Sequence, residues 1–256
     1  MAEQRVLSAC AVLAISAGLA PGDVVYDALG DWTIDPGVYT WADFSTIGGG
    51  IALGGELADM QLADDFTLGT AHDVTRVTAD FGGLVLGSLP PAGSSVMVEF
   101  FTDAGGTPSE TAAASVTTTG WDLVSTIPNN TGIWGTGANE PGARVSVDLS
   151  ASGVTLGAGT WWMSVVVIDE SPTSDAYMWL GRRDLPSLGN TLHTRDGGQD
   201  HGNGYTGLVG SNDWITHTDG SDANLAMRIE GVPVPAPGAA GVLVLSGLLL
   251  GRRRRS

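Results

Sequence analysis

The sequence predicts an all-β protein, an antiparallel two-sheet sandwich of jelly-roll type with a short C-terminal transmembrane helix. Three observations predict it. Clusters of Gly, Pro, Asn and Asp break residues 23–231 every roughly 8–15 residues, the spacing of a sandwich or barrel. Between the breaks, apolar and polar residues alternate, and no long 3.6-residue periodicity appears. The chain has 256 residues, and all-β bodies of roughly 200–250 residues commonly form one domain. Such a body can bury a core without disulfide staples.

Residues 1–22 read as a secretory signal peptide. Arg5 supplies its positive start, offset by Glu3, and residues 6–20 supply its apolar stretch. Gly18-Leu19-Ala20 is a small-x-small cleavage site, with Ala20-Pro21-Gly22 as a second. The single cysteine, Cys10, lies inside this leader. The expected mature body therefore has no disulfide, thiol nucleophile or cysteine metal site. Leu7-Ser8-Ala9-Cys10 carries the letters of a lipoprotein box, but the apolar run lies mostly after Cys10, so lipidation is not expected.

The body spans residues 23–231. In residues 144–149, Val145, Val147 and Leu149 share one face; in 95–101, Val96, Val98 and Phe100 do; in 223–229, Leu225, Met227 and Ile229 do. Residues 160–168 are apolar on both faces and read as a central strand. Segments 38–44, 61–68, 74–81, 121–127 and 176–180 are further candidates, for about ten to twelve strands in two packed sheets. Gly48-Gly49-Gly50, Gly105-Gly106, Gly197-Gly198 and Gly202-Asn203-Gly204 mark loops.

Charge narrows the function. The chain has no lysine, and without Glu3, Arg5 and the four terminal arginines the body holds 27 acidic and 6 basic residues. A net charge of about −21 excludes nucleic acid as a partner, which needs a basic patch, and suits solubility or cation binding.

Residues 190–222 are the richest site candidate. Asp196, Asp200, Asp213, Asp219 and Asp222 lie there among glycines, with His193, His201 and His217. Hard oxygen donors in flexible loops suit Ca²⁺, although Asp and Asn are also ordinary turn residues. Histidines would suit a transition metal, but no His-x-x-x-His or His-Glu-x-x-His spacing occurs. Asp64-Asp65 sits in an alternating strand, so one carboxylate must turn inward and find a partner such as Arg76 or a cation, unless both lie at a sheet edge. Asp103 with Gly105-Gly106 reads as a turn. Trp161 and Trp162 are adjacent in a strand and must face opposite ways. Trp134, Trp179 and Trp214 are candidate sugar-stacking rings, with loop burial as their other fate. No Gly-x-Ser-x-Gly elbow, P-loop or dinucleotide fingerprint is present, and no catalytic residue is singled out.

The last residues, 232–256, form three blocks. Val232-Pro233-Val234-Pro235-Ala236-Pro237 is a proline-rich spacer, expected to be extended and outside any strand. Residues 238–251 are apolar and uncharged, short of the roughly 20 residues of a full span. Arg252, Arg253, Arg254 and Arg255 follow as a cytoplasmic stop. This order resembles the PEP-CTERM sorting signal of Gram-negative and related bacteria. The usual core there is Val-Pro-Glu-Pro, and this chain lacks the Glu. The resemblance implies an exosortase-like membrane protease as partner, transient anchoring in the membrane through the tail, and release or transfer to the cell envelope. The body is also similar to a recurrent extracellular β-sandwich module of PEP-CTERM-type and planctomycete proteins, through Gln61-Leu62-Ala63-Asp64-Asp65-Phe66, residues 101–108, residues 156–162 and residues 224–231. That likeness implies a fold and no activity. The expected protein is exported and non-catalytic, a polysaccharide-binding or structural component of the envelope or extracellular matrix. The alternative is a secreted jelly-roll hydrolase acting on polysaccharide.

Overall fold

The structure is a computed structural model that describes residues 22–29, 39–44, 46–47, 60–83, 94–127, 142–168, 178–183, 193–196, 214–216 and 224–235. Sixteen strands are described: β1 (Asp23–Asp27), β2 (Tyr39–Phe44), β3 (Thr46–Ile47), β4 (Met60–Leu68), β5 (His72–Gly83), β6 (Ser95–Thr102), β7 (Ala114–Thr118), β8 (Trp121–Ile127), β9 (Gly142–Asp148), β10 (Thr155–Leu156), β11 (Gly159–Ile168), β12 (Met178–Arg183), β13 (His193–Asp196), β14 (Ile215–Thr216), β15 (Asn224–Leu225) and β16 (Met227–Pro233). No helix occurs among the described residues.

The strands form two sheets. In the nine-stranded sheet the path runs β1-β16-β5-β12-β15, with β9 and β10 also on β5, β8 on β9 and β2 on β12. The seven-stranded sheet runs β14-β13-β4-β3-β11-β6-β7, with β4 also paired directly to β11. Every ladder is antiparallel except a two-residue parallel pairing of β3 with β11.

The core lies between the sheets, and period-two alternation fills it. Leu62, Phe66, Val96, Val98, Phe100, Met163 and Val165 enter from one sheet, and Val77, Phe81, Val145, Val147, Leu225, Met227 and Ile229 from the other. The faces expected for segments 95–101, 144–149 and 223–229 are the faces observed. β11 lies between β4 and β6, and its residues 162–167 are buried on both faces, as a central strand requires. Phe66 links the layers: its ring lies 5.5 Å from Tyr26 of the opposite sheet and 6.4 Å from Phe100.

Three differences from the sequence expectation have local causes. The strand number is higher because β3, β10, β14 and β15 are two residues long, too short to carry a period. The 223–229 segment divides at Ala226: β15 pairs with β12 and β16 with β5. Ala226 still takes part, since its carbonyl accepts the Asp80 amide at 3.0 Å. β16 continues past the expected body end at Gly231, pairing Val232 with Asp73 and Pro233 with His72. Gly231 lies so near β5 that a Cβ there would meet the Asp73 carbonyl oxygen at 3.0 Å.

The first and last strands are neighbours. Asp23 lies opposite Gly231 and Asp27 opposite Arg228. The Arg228–Asp27 ion pair at 2.8 Å is exposed and adds little; the ladder and its buried residues hold this edge. Because the fully buried Phe66 touches rings from both layers, Phe66→Ala is expected to cost about 3–5 kcal/mol in urea unfolding. A loss below about 1 kcal/mol would show that the inter-sheet rings contribute little.

Candidate functional site

Two polar groupings stand out against the apolar layers. The first lies inside the core. Alternation along β4 turns Leu62, Asp64 and Phe66 to the same side, so Asp64 projects between the sheets and is 1% exposed. Its Oδ2 accepts the Leu225 amide at 2.8 Å and the Tyr26 hydroxyl at 3.2 Å, and its Oδ1 accepts the Asp65 amide at 3.0 Å. The partners come from β1, β4 and β15, not from Arg76. Burial pushes the Asp64 carboxyl up to about 8, against the opposing effect of the Leu225 amide. Burial, and then the neighbouring Asp64 charge, push the Tyr26 hydroxyl far above its usual range. Asn224, next to Leu225, is 1% exposed, and its Nδ2 has no hydrogen-bond partner.

The second grouping covers the outer face of the seven-stranded sheet. Gln61, Ala63 and Asp65 of β4 point there, with Glu99 and Phe101 of β6, Trp162 and Ser164 of β11, and His193 of β13; all are buried. Register sets Trp162 opposite both Asp65 and Phe101, and Ser164 opposite Glu99. Gln61 Nε2 donates to Glu99 Oε2 at 2.6 Å. His193 packs edge-on against Trp162 with centroids 4.8 Å apart. Gln61, Asp65, Glu99 and His193 each have a further interaction, so none is a free group. Ser164 Oγ is buried without a hydrogen-bond partner. The chemistry available to this face is that of two carboxylates, an imidazole and an indole held rigidly on strands.

The rim of this face is a turn. Asp103 bridges to Pro108, and Gly105 and Gly106 take φ of 84° and 92°, a region closed to most side chains. Asp103 Oδ1 accepts both Trp162 Nε1 and the Gly106 amide at 3.0 Å. The Trp162 bond holds the Asp103 carboxyl below its usual range. The turn expected at Asp103 is present, and Trp162 joins it to the sheet. Trp161 faces the other way, toward the core, with Nε1 donating to the Gly157 carbonyl at 2.9 Å.

On the outer face of the nine-stranded sheet, Arg144 clamps Asp80 through Nε and a second nitrogen, at 2.7 and 2.8 Å. Asp80 is fully buried, so this bidentate pair holds a charge that could not stand alone.

The candidate binding residues are distributed as follows. Trp214 is half-buried, edge-on to Phe101 at 5.1 Å, and its Nε1 donates to the Ser109 carbonyl at 3.1 Å. Trp179 lies in β12, opposite Phe44 and Gly82. Asp196 ends β13, opposite Met60. Residues 193–196 and 215–216 are thus strands within the stretch expected to be loops. Trp134, Asp200, Asp213, Asp219, Asp222, Pro237, Arg252, Arg253, Arg254 and Arg255 lie outside the described residues. Among the described residues, no three His, Cys, Asp or Glu side chains converge to hold a metal ion, and no helix is long and apolar enough to cross a membrane.

Sequence reasoning did not single out Tyr26, Gln61, Glu99 or Asn224. The available signal was Glu99 itself, an acidic residue in the middle of the alternating strand Val96-Met97-Val98-Glu99-Phe100. No protein-family model matches the chain, and no curated protein matches it. Function has to be read from its own residues.

The raised Asp64 carboxyl has a sign that can be tested. The folded chain keeps a proton on Asp64 that the unfolded chain releases in its ordinary range. This stability is fully present below that range and is lost as pH rises toward about 8. Between pH 4 and 9, unfolding free energy is expected to fall less steeply in Asp64→Asn than in the unaltered chain. The difference should be at least about 1 kcal/mol, the order of one pKa unit. General acidic repulsion is common to both and cancels. Parallel profiles would remove Asp64 as the titrating group.

Proposed function

We propose that this chain is an exported, non-catalytic β-sandwich of jelly-roll type that serves at the cell envelope or in the extracellular matrix as a polysaccharide-binding or structural component. Residues 1–22 act as the export signal. Residues 232–256 act as a PEP-CTERM-like sorting tail, whose apolar block forms a short transmembrane helix until an exosortase-like membrane protease removes that block. Ca²⁺ bound by the acidic 190–222 region, and aromatic rings among Trp134, Trp179 and Trp214, are the proposed means of contact with exopolysaccharide.

The observation that supports this reading is the pairing of β1 with β16. Asp23 of β1 sits opposite Gly231 of β16, so a leader before residue 23 and a tail after residue 235 would join the body at the same end of this ladder. A body tethered at that end presents its other end to the surroundings. Support for a non-catalytic role comes from the buried carboxylates. Asp64 is engaged by Tyr26 and two amides, Asp80 by Arg144 and Glu99 by Gln61.

A hydrolytic reading draws on a different observation: Asp65 and Glu99 share one sheet face, and glycoside hydrolysis uses paired carboxylates. Their exposures of 4% and 9%, and the Gln61 bond to Glu99, favour the binding reading.

Deleting residues 236–256 is expected to move the protein from the envelope fraction to the medium; unchanged retention would defeat the sorting role. The released body should then be retained on an acidic or neutral polysaccharide column in Ca²⁺ and elute with EDTA. Turnover of the column polysaccharide that is lost in Asp65→Asn or Glu99→Gln would favour the hydrolase instead.

A further inference from the structure

We infer that Val232-Pro233-Val234-Pro235 belongs to the folded body, and that a protease maturing this chain cuts on the C-terminal side of Pro235. The inference rests on the proposed reading of the tail as a removable segment, and it fixes where removal can occur.

β16 pairs Val232 with Asp73 and Pro233 with His72, and the Val234 amide donates to the Ala71 carbonyl at 2.8 Å. Backbone groups of successive residues in an antiparallel ladder point to alternate sides. The Val232 amide therefore faces β5 as Val234's does, and the Pro233 nitrogen faces away. That side belongs to β1, but β1 begins at Asp23, opposite Gly231. Proline's missing N–H thus falls where no described strand requires a donor. Side-chain exposure keeps the same period: Val232 and Val234 are half-buried, Pro233 and Pro235 exposed. The proline-rich letters, read alone as a free spacer, are compatible with a strand because each proline occupies the outward register.

Enzymes that recognise an extended chain do so largely through its backbone amides. Those of Val232 and Val234 face β5, so a cut within 232–235 requires this end of β16 to separate first. Cleavage beyond Pro235 leaves the ladder whole. The step is peptide hydrolysis: water adds to the carbonyl carbon, the C–N bond breaks, and the departing amine takes up the proton.

Two arms separate this inference from the sorting reading. In the first, the mature protein is recovered from an exporting host and its C-terminus read by intact mass. A terminus created by cleavage at Pro235 or later supports the inference, and one between Arg228 and Val234 overturns it. In the second, the purified full chain is digested briefly with proteinase K. The stable fragment should end at or after Pro235, and Val234→Pro, which removes the donor to Ala71, should move that end upstream by two residues or more. A fragment ending before Val234 in the unaltered chain, or no shift in the variant, overturns the inference. An uncleaved tail in the host together with protection through Pro235 in the digest defeats the sorting reading and leaves the body boundary standing.

Discussion

A carboxylate in the middle of an apolar sandwich constrains everything around it. Asp64 stands on β4 between Leu62 and Phe66, where its neighbours on the same face are core residues. An isolated charge there would cost far more than a hydrogen bond returns, and burial accordingly holds the proton on Asp64 well above the ordinary carboxylate range. The buried group is tolerated because three donors converge on it, from β1, from β4 itself and from the end of β15. One of them, Leu225, sits just before the break at Ala226, where the chain leaves β12 and passes to β5. The geometry of that crossing, and the position of Tyr26 at the opposite edge, are thereby tied to one side chain. A sandwich core is otherwise indifferent to small slips of two layers, since apolar contact has no direction. Asp64 supplies direction.

The polar residues are sorted by face. Along β11, Met163, Val165 and Val167 meet the inner core, while Trp162 and Ser164 meet the outer grouping with Glu99, Asp65 and His193. The outer grouping is as buried as the core, yet rich in hydrogen-bonding groups. Burial of that kind demands partners at each atom and fixes side-chain directions more narrowly than apolar packing does. Gln61 holds Glu99 at 2.6 Å.

How far the sequence foretold these features depends on period. Strands of six or more residues showed themselves by alternation or, for β11, by being apolar on both faces, and the faces of β6, β9 and β16 follow directly from alternation. The two-residue strands did not, because their pairing is decided by neighbours brought from distant parts of the chain. The same holds for the sites. That one of Asp64 and Asp65 turns inward follows from the period; that Tyr26 and Leu225 receive it does not, since they lie 38 and 161 residues away. Trp161 and Trp162 had to face opposite ways, but Trp162 finding Asp103 required the turn made by Gly105 and Gly106.

The chain ends show where composition and register part company. Proline enrichment ordinarily marks a segment that leaves the sheet. Here the alternation of Val and Pro from Val232 to Pro235 is itself a strand period, with the branched residues on the sheltered side and the prolines outward. Val234 is half-buried, with its amide on the Ala71 carbonyl. The backbone bond from Val234 to Ala71 extends the contact of this segment with β5 two residues beyond the pairing of Val232 with Asp73, so register and not composition decides that the segment stays on the sheet.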